Sequence, residues 1–441
     1  KKKNLAIIFN SFSGADLLEK KEFRELFFSN LPTEKLQELS LIFESTLFKG
    51  ERREIIQKLA SLKWIKDEKQ IKICEILNID QSLLPEEKYV VPPELNSFEM
   101  KKPFKQLKDF QFPVTAKAKE KLKNTAARFV IQMPTGSGKT RVAMEVICEF
   151  IKNYNQGVKI LWLAHQKELC AQSYDCFVEV WSHLNDRELT LYRLWNDGDI
   201  VSLPEKLAKN SFIIGNFQKI YSELSRDENN YNNLKGKIDL IIIDEAHKAI
   251  APTYKFVTNA LASIRTKIIG LTATPGRSIT DSESNRSLAV FFHSEIIEID
   301  PPKDKGVITY LKDLKVLSKA DYEPIHTEIN IELSKKQTEY IQENSKLPKS
   351  IISRLSNDTI RNFEILKKID NRLKSKPTSK IIFFGLDIKH SKFICAVLNT
   401  MGVKASHVDG ETSMNRRNYI LEDFKNGDLQ VLCNDRLIST G

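Results

Sequence analysis

Five short runs of apolar residues lie between residues 128 and 273, and longer stretches with helical spacing of apolar residues separate them. In chain order the runs are RFVIQM, VKILWLA, SFIIGN, IDLIIID and TKIIGLTA. A strand that is apolar on both faces must be covered on both faces, and parallel strands joined by crossover helices meet this need. The pattern therefore predicts an α/β fold around a parallel sheet.

The remaining chain divides around this sheet. A second alternation of strand-like and helical stretches contains KIIFFG, VKASHVDG and LQVLCN, and four prolines fall within LPEEKYVVPPELNSFEMKKP. We predict two parallel-sheet α/β domains, the second incomplete, preceded by a small helical domain. The predicted bounds are a helical accessory domain over 1–84, a linker over 85–103, a first α/β domain over 104–304, a helical connection over 305–354 and a second α/β domain over 355–441.

The composition indicates what class of protein this is, but it does not select a function. Six cysteines without any C-x-x-C pair favour reduced thiols over a disulfide framework or a zinc site. The net charge of +10 is compatible with a polyanionic partner but does not by itself select nucleic acid. No stretch approaches 18 apolar residues, and the opening KKKNLAIIF is too short for a signal peptide. We therefore expect a cytoplasmic protein without a membrane span.

A glycine-rich turn, MPTGSGKT (133–140), follows the first strand-like run and precedes a helical stretch. In this context the backbone N–H groups and the positive end of the helix can bind phosphate. The lysine would reach the β- and γ-phosphates, and the threonine hydroxyl would bind Mg²⁺. Met133 stands where the strict pattern has its first glycine, so the motif has the shorter TGSGKT form. The candidate nucleotide-binding residues are Thr135, Gly136, Ser137, Gly138, Lys139 and Thr140.

Two carboxylates end the buried apolar run in LIIIDEAH (240–247). Such a pair is costly to bury unless a metal or a substrate compensates its charge. Asp244 is predicted to hold Mg²⁺ through its water shell, and Glu245 to position and deprotonate the attacking water. Together with the glycine-rich turn, the acid pair predicts a nucleoside triphosphatase.

Over about 104–441 the sequence resembles the superfamily 2 helicases and translocases with a DEAH box. It is most similar to the branch that contains type III restriction R-subunits and excision-repair translocases. The resemblance implies two RecA-like domains that use ATP and Mg²⁺, with nucleic acid across both and DNA favoured over RNA. It also implies that ATP closes a cleft between the domains and that hydrolysis reopens it, which moves the protein along a strand.

Two further motifs acquire roles through this resemblance. LKDFQ (107–111) resembles the element whose glutamine recognises adenine, although a solvent-facing glutamine in a loop is the alternative. LTATP (271–275) resembles the motif that couples hydrolysis to movement by bridging the DEAH turn and the inter-domain cleft. The assigned residues are Gln111 as adenine reader with Phe110 as its packing partner, and Thr272, Thr274 and His247 for coupling.

Nucleic-acid contacts are implied in both domains. LWLAHQKELCAQ (161–172) and FIIGNFQKIY (212–221) resemble the first two strand-contacting motifs, although Asn216 replaces the usual threonine. KIIFFGLDIKHS (380–391) resembles the entry to the second domain. Plain strand-to-helix connections and, for the arginine pair, a solvated helix face are the alternatives. The candidate contacts are His165, Gln166, Lys167, Asn216, Gln218, Gly385, Gly410, Arg416 and Arg417.

The chain ends on VLCNDRLISTG, which the resemblance places inside the fifth helicase motif, before arginines that reach the ATP cleft. We therefore expect the 441-residue chain to bind ATP–Mg²⁺ but to hydrolyse it weakly, and the complete protein to be active. A motor of a restriction or phage-defence system, whose N-terminal helical region docks a nuclease or another defence protein, is the favoured reading. A stand-alone DNA repair or RNA-remodelling helicase and an ATP-gated clamp without turnover are the alternatives.

Overall fold

A computed structural model describes most of the chain, in two compact units. One unit comprises residues 91–321, and the other comprises residues 1–90 together with 322–441. The described residues are 20–43, 51–62, 64, 67–77, 94–100, 103–154, 157–195, 207–227, 232, 234–274, 282–327, 331–344, 346–410, 412 and 414–435. Within them, no helix is both long enough and apolar enough to cross a membrane.

The described N-terminal residues are helical. Leu36, Leu39, Leu59 and other apolar side chains of these helices pack into one small core. Arg24 is buried and donates hydrogen bonds to the carbonyl of Ala60 at 2.8 and 3.1 Å, so the first and third helices are tied together. The helices are α1 (Lys21–Ser29), α2 (Thr33–Ser40), α3 (Arg52–Ser61) and α4 (Glu68–Leu77).

A mixed sheet forms the centre of the unit 91–321. In the described residues its strand order is β1-β4-β5-β3-β6-β7-β2-β8, and β1 alone runs antiparallel to its neighbour. The other seven strands are parallel, as the doubly apolar runs require. The strands are β1 (Glu94–Leu95), β2 (Arg128–Gln132), β3 (Lys159–Ala164), β4 (Thr190–Leu194), β5 (Ser211–Asn216), β6 (Leu240–Asp244), β7 (Lys267–Thr272) and β8 (Ile296–Glu298).

Helices cover both faces of this sheet. One core contains Trp162, Phe177 and Ile242 under α5, α6, α7 and α11, and the other contains Leu161 and Ile243 under α8, α9 and α10. The helices are α5 (Gln111–Lys121), α6 (Lys139–Lys152), α7 (Lys167–Leu184), α8 (Phe217–Arg226), α9 (Pro252–Leu261), α10 (Ser282–Phe291) and α11 (Val307–Asp313).

The second unit contains a smaller parallel sheet. Its order among the described residues is β10-β11-β9, and Val431 on the central strand pairs with Ala405 and Ile381 on its two neighbours. The α/β prediction with parallel sheets is thus confirmed. The elements are α12 (Lys335–Asn344), α13 (Lys349–Ser356), α14 (Thr359–Ser375), β9 (Ile381–Phe384), α15 (Ile388–Thr400), β10 (Ala405–Val408), α16 (Met414–Asn426) and β11 (Val431–Asn434).

Three strands of the larger sheet were not predicted from the sequence. β4 carries a buried arginine, Arg193, which breaks the apolar pattern, and β8 is three residues long. β1 lies within the stretch 85–103, which was predicted as a linker, because Glu94 and Leu95 pair with Tyr192 and Leu191 at the edge of the sheet. Pairing with neighbouring strands, rather than local pattern, makes these residues strands.

Candidate nucleotide site and adjoining contact turns

The glycine-rich turn lies between β2 and α6. Gly136 and Gly138 have φ angles of +80° and +88°, a region that side chains with a Cβ rarely occupy. Ser137 is buried, and both its N–H and its hydroxyl donate to the carbonyl of Pro134, at 3.1 and 2.6 Å. The turn is therefore closed on itself, and α6 begins at Lys139 with its positive end directed at the turn.

Gln111 joins the turn to the segment before α5. Its side-chain N–H donates to the carbonyl of Ser137 at 2.9 Å, and its amide oxygen accepts from the N–H of Lys108 at 2.9 Å. A Cβ at Gly138 would lie 2.5 Å from the amide nitrogen, and the φ of +88° strains any residue with a Cβ, so both features favour glycine there. Phe110 is buried in the adjacent core. The structure thus places Gln111 at the turn, and its role as adenine reader stays a prediction.

The acid pair follows β6, and Lys139 lies within its electrostatic reach. Asp244 is buried, and one carboxylate oxygen accepts from the N–H of Glu245 at 3.0 Å. Burial raises the pKa of Asp244 to about 6, and the charge of Glu245 adds to the rise while Lys139 opposes it. Burial also lowers the pKa of Lys139, although Glu245 and Asp244 favour its charged form. The glycine-rich turn follows β2 and the acid pair ends β6, and both strands flank β7, so the three predicted residues lie at the same edge of the sheet.

Glu245 has an unusual backbone and a histidine partner. Its φ and ψ are both 57°, a left-handed conformation that costs free energy for a residue with a Cβ. A carboxylate oxygen of Glu245 lies 3.2 Å from Nδ1 of His247, and this contact lowers the pKa of Glu245. The structure thus brings His247 to the acid pair.

The two threonines of the LTATP motif contact each other. Thr272 is fully buried at the end of β7, and its hydroxyl donates to the carbonyl of Thr274 at 2.7 Å and accepts from its N–H at 3.1 Å. The Thr272 hydroxyl is thus engaged within the motif's own turn, and the bridge from the two threonines to the DEAH turn stays a prediction. The last residue of the motif, Pro275, lies outside the described residues.

Gly270 on β7 makes room for the DEAH turn. A Cβ at this position would lie 2.6 Å from the ring of Phe292 and 2.7 Å from Cβ of Ala246. Ala246 follows the acid pair directly, so the turn rests on the β7 backbone. This contact could not be predicted from the sequence, because a glycine within an apolar run is compatible with a close approach by any neighbouring group.

Gly270→Ala is expected to lower the free energy of unfolding of the unit 91–321 by about 1–3 kcal/mol, because the added methyl overpacks the core. Chemical denaturation followed by circular dichroism measures this change. Gly306→Ala is the matched control, since a Cβ there would have no neighbour within 4 Å. Equal stability of the two variants would contradict the described contact.

The residues predicted to hold Mg²⁺ fit that ion. Among the described residues, no group of three or more His, Cys, Asp or Glu side chains could hold a metal by itself. Mg²⁺ usually needs only one or two protein carboxylates, because water and substrate phosphates complete its coordination. Asp244 supplies a buried carboxylate whose charge needs compensation, and Thr140 lies in the first turn of α6 beside the phosphate-binding turn.

The predicted contact turns follow β3 and β5, on the same edge of the sheet. Gln166 is the N-cap residue of α7, and Lys167 begins that helix. Asn216 is buried, and its side-chain oxygen accepts from the N–H of Lys219 at 3.1 Å, so it caps α8. Gln218 in the first turn of α8 is exposed. Asn216 therefore caps a helix. This structural role was not indicated by the resemblance to the motif, which usually has threonine at this position.

His165 is the first residue of the turn after β3 and lies within the electrostatic reach of Glu245. Burial lowers the pKa of His165 to about 4, and the charges of Lys248, Glu245 and His247 act on it. Its Nδ1 is buried and has no hydrogen-bond partner among the described residues. The imidazole is therefore neutral near pH 7 and sits beside the predicted site rather than at an open surface.

In the second unit, two glycines and two arginines occupy the candidate contact positions. The N–H of Gly385 donates to the carbonyl of Asn434 at 2.8 Å, and a Cβ there would lie 2.7 Å from Cβ of Ser391. Gly410 is exposed, with open space around its α-carbon. Arg417 donates to the carbonyl of Asp409 at 3.2 Å, and the guanidinium of Arg416 lies 5.4 Å from the ring centre of Tyr419.

A buried network that the sequence did not indicate holds the turn before Gly410. Asp409 accepts from Lys392 and His407, each at 3.1 Å, and from the hydroxyl of Thr412 at 3.0 Å. Burial alone would raise the pKa of Asp409, but these hydrogen bonds lower it to about 2. These contacts fix the position of the Asp409 carboxylate next to Gly410, and only the letters VDG in the sequence could have pointed to them.

Comparison with known families covers both sheets. Residues 104–277 match the family described as Type III restriction enzyme, res subunit. Residues 362–441 match the family described as Helicase conserved C-terminal domain. The first match spans the glycine-rich turn and the acid pair, and the second spans the described part of the smaller sheet.

Individual curated proteins are also similar to this chain in sequence. A Saccharomyces cerevisiae protein named as the ATP-dependent helicase IRC3 is 24% identical over 344 residues, which are 76% of this chain and 45% of that protein. The 51.5 kDa protein of a Lactococcus phage is 26% identical over 315 residues, 71% of this chain and 56% of the relative. The chain thus spans about half the length of the curated relatives it matches.

A solved structure supports the fold. The ATP-dependent type ISP restriction-modification enzyme LlaBIII, solved bound to DNA, superposes with a TM-score of 0.53 at 17% identity. The superposition covers 77% of this chain and 25% of that enzyme. At this identity the likeness concerns the fold, which is that of two RecA-like domains. Over 104–277 and 362–441 the chain is thus similar to the superfamily 2 helicases, and its first sheet domain is similar to the res subunit of type III restriction enzymes.

Proposed function

We propose that this protein is an ATP-dependent nucleic-acid translocase or helicase that hydrolyses ATP with Mg²⁺. One observation carries the proposal. Lys139, Asp244 and Glu245 come together at the carboxyl edge of the sheet, and the turns after β3 and β5 lie on that same edge. In open α/β sheets this edge is where ligands bind, so a nucleotide site and a nucleic-acid surface adjoin each other.

The chain's own residues divide the chemistry between them. Lys139 and the N–H groups of the turn bind the phosphates, and Lys139 stabilises the negative charge that develops on them. Glu245 keeps its carboxylate ionised and accepts the proton of the attacking water. Mg²⁺ held by Thr140 and Asp244 would neutralise charge on the β- and γ-phosphate oxygens.

The remaining first-domain residues serve recognition and coupling in this proposal. Gln111 reads the adenine edge while remaining tied to the phosphate-binding turn, and Phe110 anchors it in the core. Nδ1 of His247 lies 3.2 Å from a carboxylate oxygen of Glu245. A substitution of His247 would therefore change how readily this carboxylate accepts the proton of the attacking water. Thr272 and Thr274 hold the turn that follows the neighbouring strand.

Nucleic acid is proposed to bind through backbone phosphates. Lys167 and Gln166 begin α7, Gln218 is exposed in the first turn of α8, and Arg416 and Arg417 lie in α16. Such contacts bind without sequence preference. They weaken as the salt concentration rises, because the release of counterions from the nucleic acid on binding then becomes less favourable. DNA is the favoured polymer, since the related fold of the restriction enzyme was solved bound to DNA.

The relatives also support a place in restriction or phage defence. The matched res-subunit family and the type ISP enzyme both belong to restriction systems by their names. In this proposal the motor spans 104–441, with 104–304 and 355–441 as its two domains and 305–354 as the connection. The helical residues of 1–84 would dock a nuclease or another defence protein.

Lys167→Ala is expected to weaken nucleic-acid binding equally for all sequences and to reduce the slope of log Kd against log salt by about 1, because one phosphate contact is lost. Fluorescence anisotropy over a salt series measures both. Lys159→Ala is the control. Lys159 begins β3, the strand that leads into the turn before Lys167, and therefore lies at the opposite edge of the sheet. An unchanged slope for Lys167→Ala would argue against the turn as a contact.

The overall proposal is tested by ATP turnover of the full-length protein with single-stranded DNA, duplex DNA or RNA added. We expect at least one of these polymers to stimulate turnover, with DNA stronger than RNA. Turnover that no nucleic acid changes would contradict the proposal. Stimulation by RNA alone would support an RNA-remodelling helicase instead.

A further inference from the structure

Tyr254 of α9 is buried in the core that also contains Ile243 and Ala246, the two residues that flank the acid pair. The residue is 5% exposed, and its hydroxyl has no hydrogen-bond partner among the described residues. Burying an unpaired hydroxyl costs free energy, whereas phenylalanine would fill the same space without that cost. Packing therefore explains the ring of Tyr254 but not its oxygen.

The charges around this hydroxyl are those of the predicted site. Burial raises the pKa of Tyr254, and the carboxylates of Asp244 and then Glu245 raise it further. The hydroxyl keeps its proton and can donate a hydrogen bond, and of the two carboxylates Asp244 has the larger electrostatic effect on it. One oxygen of Asp244 already accepts from the N–H of Glu245, so a second donor would set the orientation of the carboxylate.

The ring of Tyr254 is also attached to a contact turn. It stacks on Phe217 with ring centres 3.5 Å apart and planes 6° from parallel. Phe217 is the first residue of α8 and directly follows Asn216, which caps that helix. A displacement of this turn by a bound strand would therefore carry the Tyr254 ring with it, because two stacked buried rings move together.

We propose that Tyr254 is a positioning residue that links the β5–α8 contact turn to Asp244. When nucleic acid binds the turn, Phe217 shifts the ring, and the hydroxyl donates to Asp244 and orients it for the nucleotide. Groups that orient a metal-binding carboxylate in this way commonly change activity by about 10- to 100-fold. This inference rests on the proposed function, since it explains how nucleic acid would stimulate turnover.

The test compares Tyr254→Phe with wild type in the full-length protein, using single-stranded DNA, duplex DNA and RNA as stimulators. We expect the ratio of stimulated to unstimulated turnover to fall about tenfold. The dissociation constant for each polymer should stay at the wild-type value, and the denaturation midpoint should stay or rise, because an unpaired buried hydroxyl is removed. A purely structural role would change the midpoint without changing the ratio.

Tyr192→Phe is the matched control. Tyr192 is also buried in the same unit, but its hydroxyl accepts from the N–H of Ala208 at 3.1 Å. This variant should lose stability and keep the wild-type ratio. Phe217→Leu keeps the Tyr254 hydroxyl but removes the stack, so it should lower the ratio as Tyr254→Phe does.

The outcomes separate the two proposals. If wild type is stimulated and Tyr254→Phe and Phe217→Leu keep its ratio, the link through Tyr254 is wrong and the proposed function stands. If no polymer stimulates wild type, the proposed function is wrong, and the link falls with it. A lower ratio that comes only from weaker nucleic-acid binding would also overturn the positioning role.

Discussion

Lys139→Ala is expected to lower nucleic-acid-stimulated ATP turnover of the full-length protein by about 10²–10³-fold, the usual effect of removing one donor that stabilises transition-state charge. Lys139 begins α6, directly after the left-handed Gly138, and lies close enough to Asp244 and Glu245 for their charges to affect its pKa. Its loss also removes a phosphate contact in the ground state, so ATP affinity should fall. Steady-state kinetics and equilibrium binding of a fluorescent ATP analogue measure the two effects.

Lys123→Ala is the matched control for that variant. Lys123 pairs with Glu120 on the surface, and both side chains are 72% exposed, so the substitution should change neither quantity. Turnover of Lys139→Ala within twofold of wild type would show that the glycine-rich turn does not carry the reaction.

Glu245→Gln is expected to lower turnover by about 10²–10⁴-fold, because the amide cannot accept a proton from the attacking water. The substitution preserves the shape of the side chain and leaves Lys139 in place, so ATP binding should survive. The contact with His247 at 3.2 Å, which lowers the pKa of Glu245, keeps the wild-type carboxylate ionised near neutral pH. Rapid-quench single-turnover measurements separate the chemical step from binding and product release.

Glu120→Gln on the exposed surface is the control for the charge change. A Glu245→Gln variant with normal single-turnover rates would assign the base to another residue. A variant that also fails to bind ATP would indicate a structural role for the strained turn at Glu245.

The phosphate-binding turn and the acid pair were predictable because their signals are local. Gly136 and Gly138 stand where the backbone turns left-handed, and Asp244 follows an apolar run that forms a buried strand. Parallel strands place their carboxyl ends on one edge, so the strand prediction also predicted which motifs would lie near each other.

The contacts that were not predictable depend on tertiary neighbours. Tyr254 lies in a stripe of apolar residues on α9, and only its stack on Phe217 and its place in the core that flanks the acid pair distinguish it from other core aromatic residues. Glycine is needed at position 270 because Ala246 and Phe292 pack against it, and these two residues are distant from one another in the chain.

The most direct test of the account is ATP-driven movement along DNA. A third strand bound to a duplex, ahead of the full-length protein, reports movement when it is displaced. We predict displacement with ATP and Mg²⁺ by wild type, and none by Glu245→Gln or with a non-hydrolysable ATP analogue. Stimulated ATP turnover without displacement, or displacement that Glu245→Gln performs equally well, would contradict the claim that hydrolysis at this site drives movement.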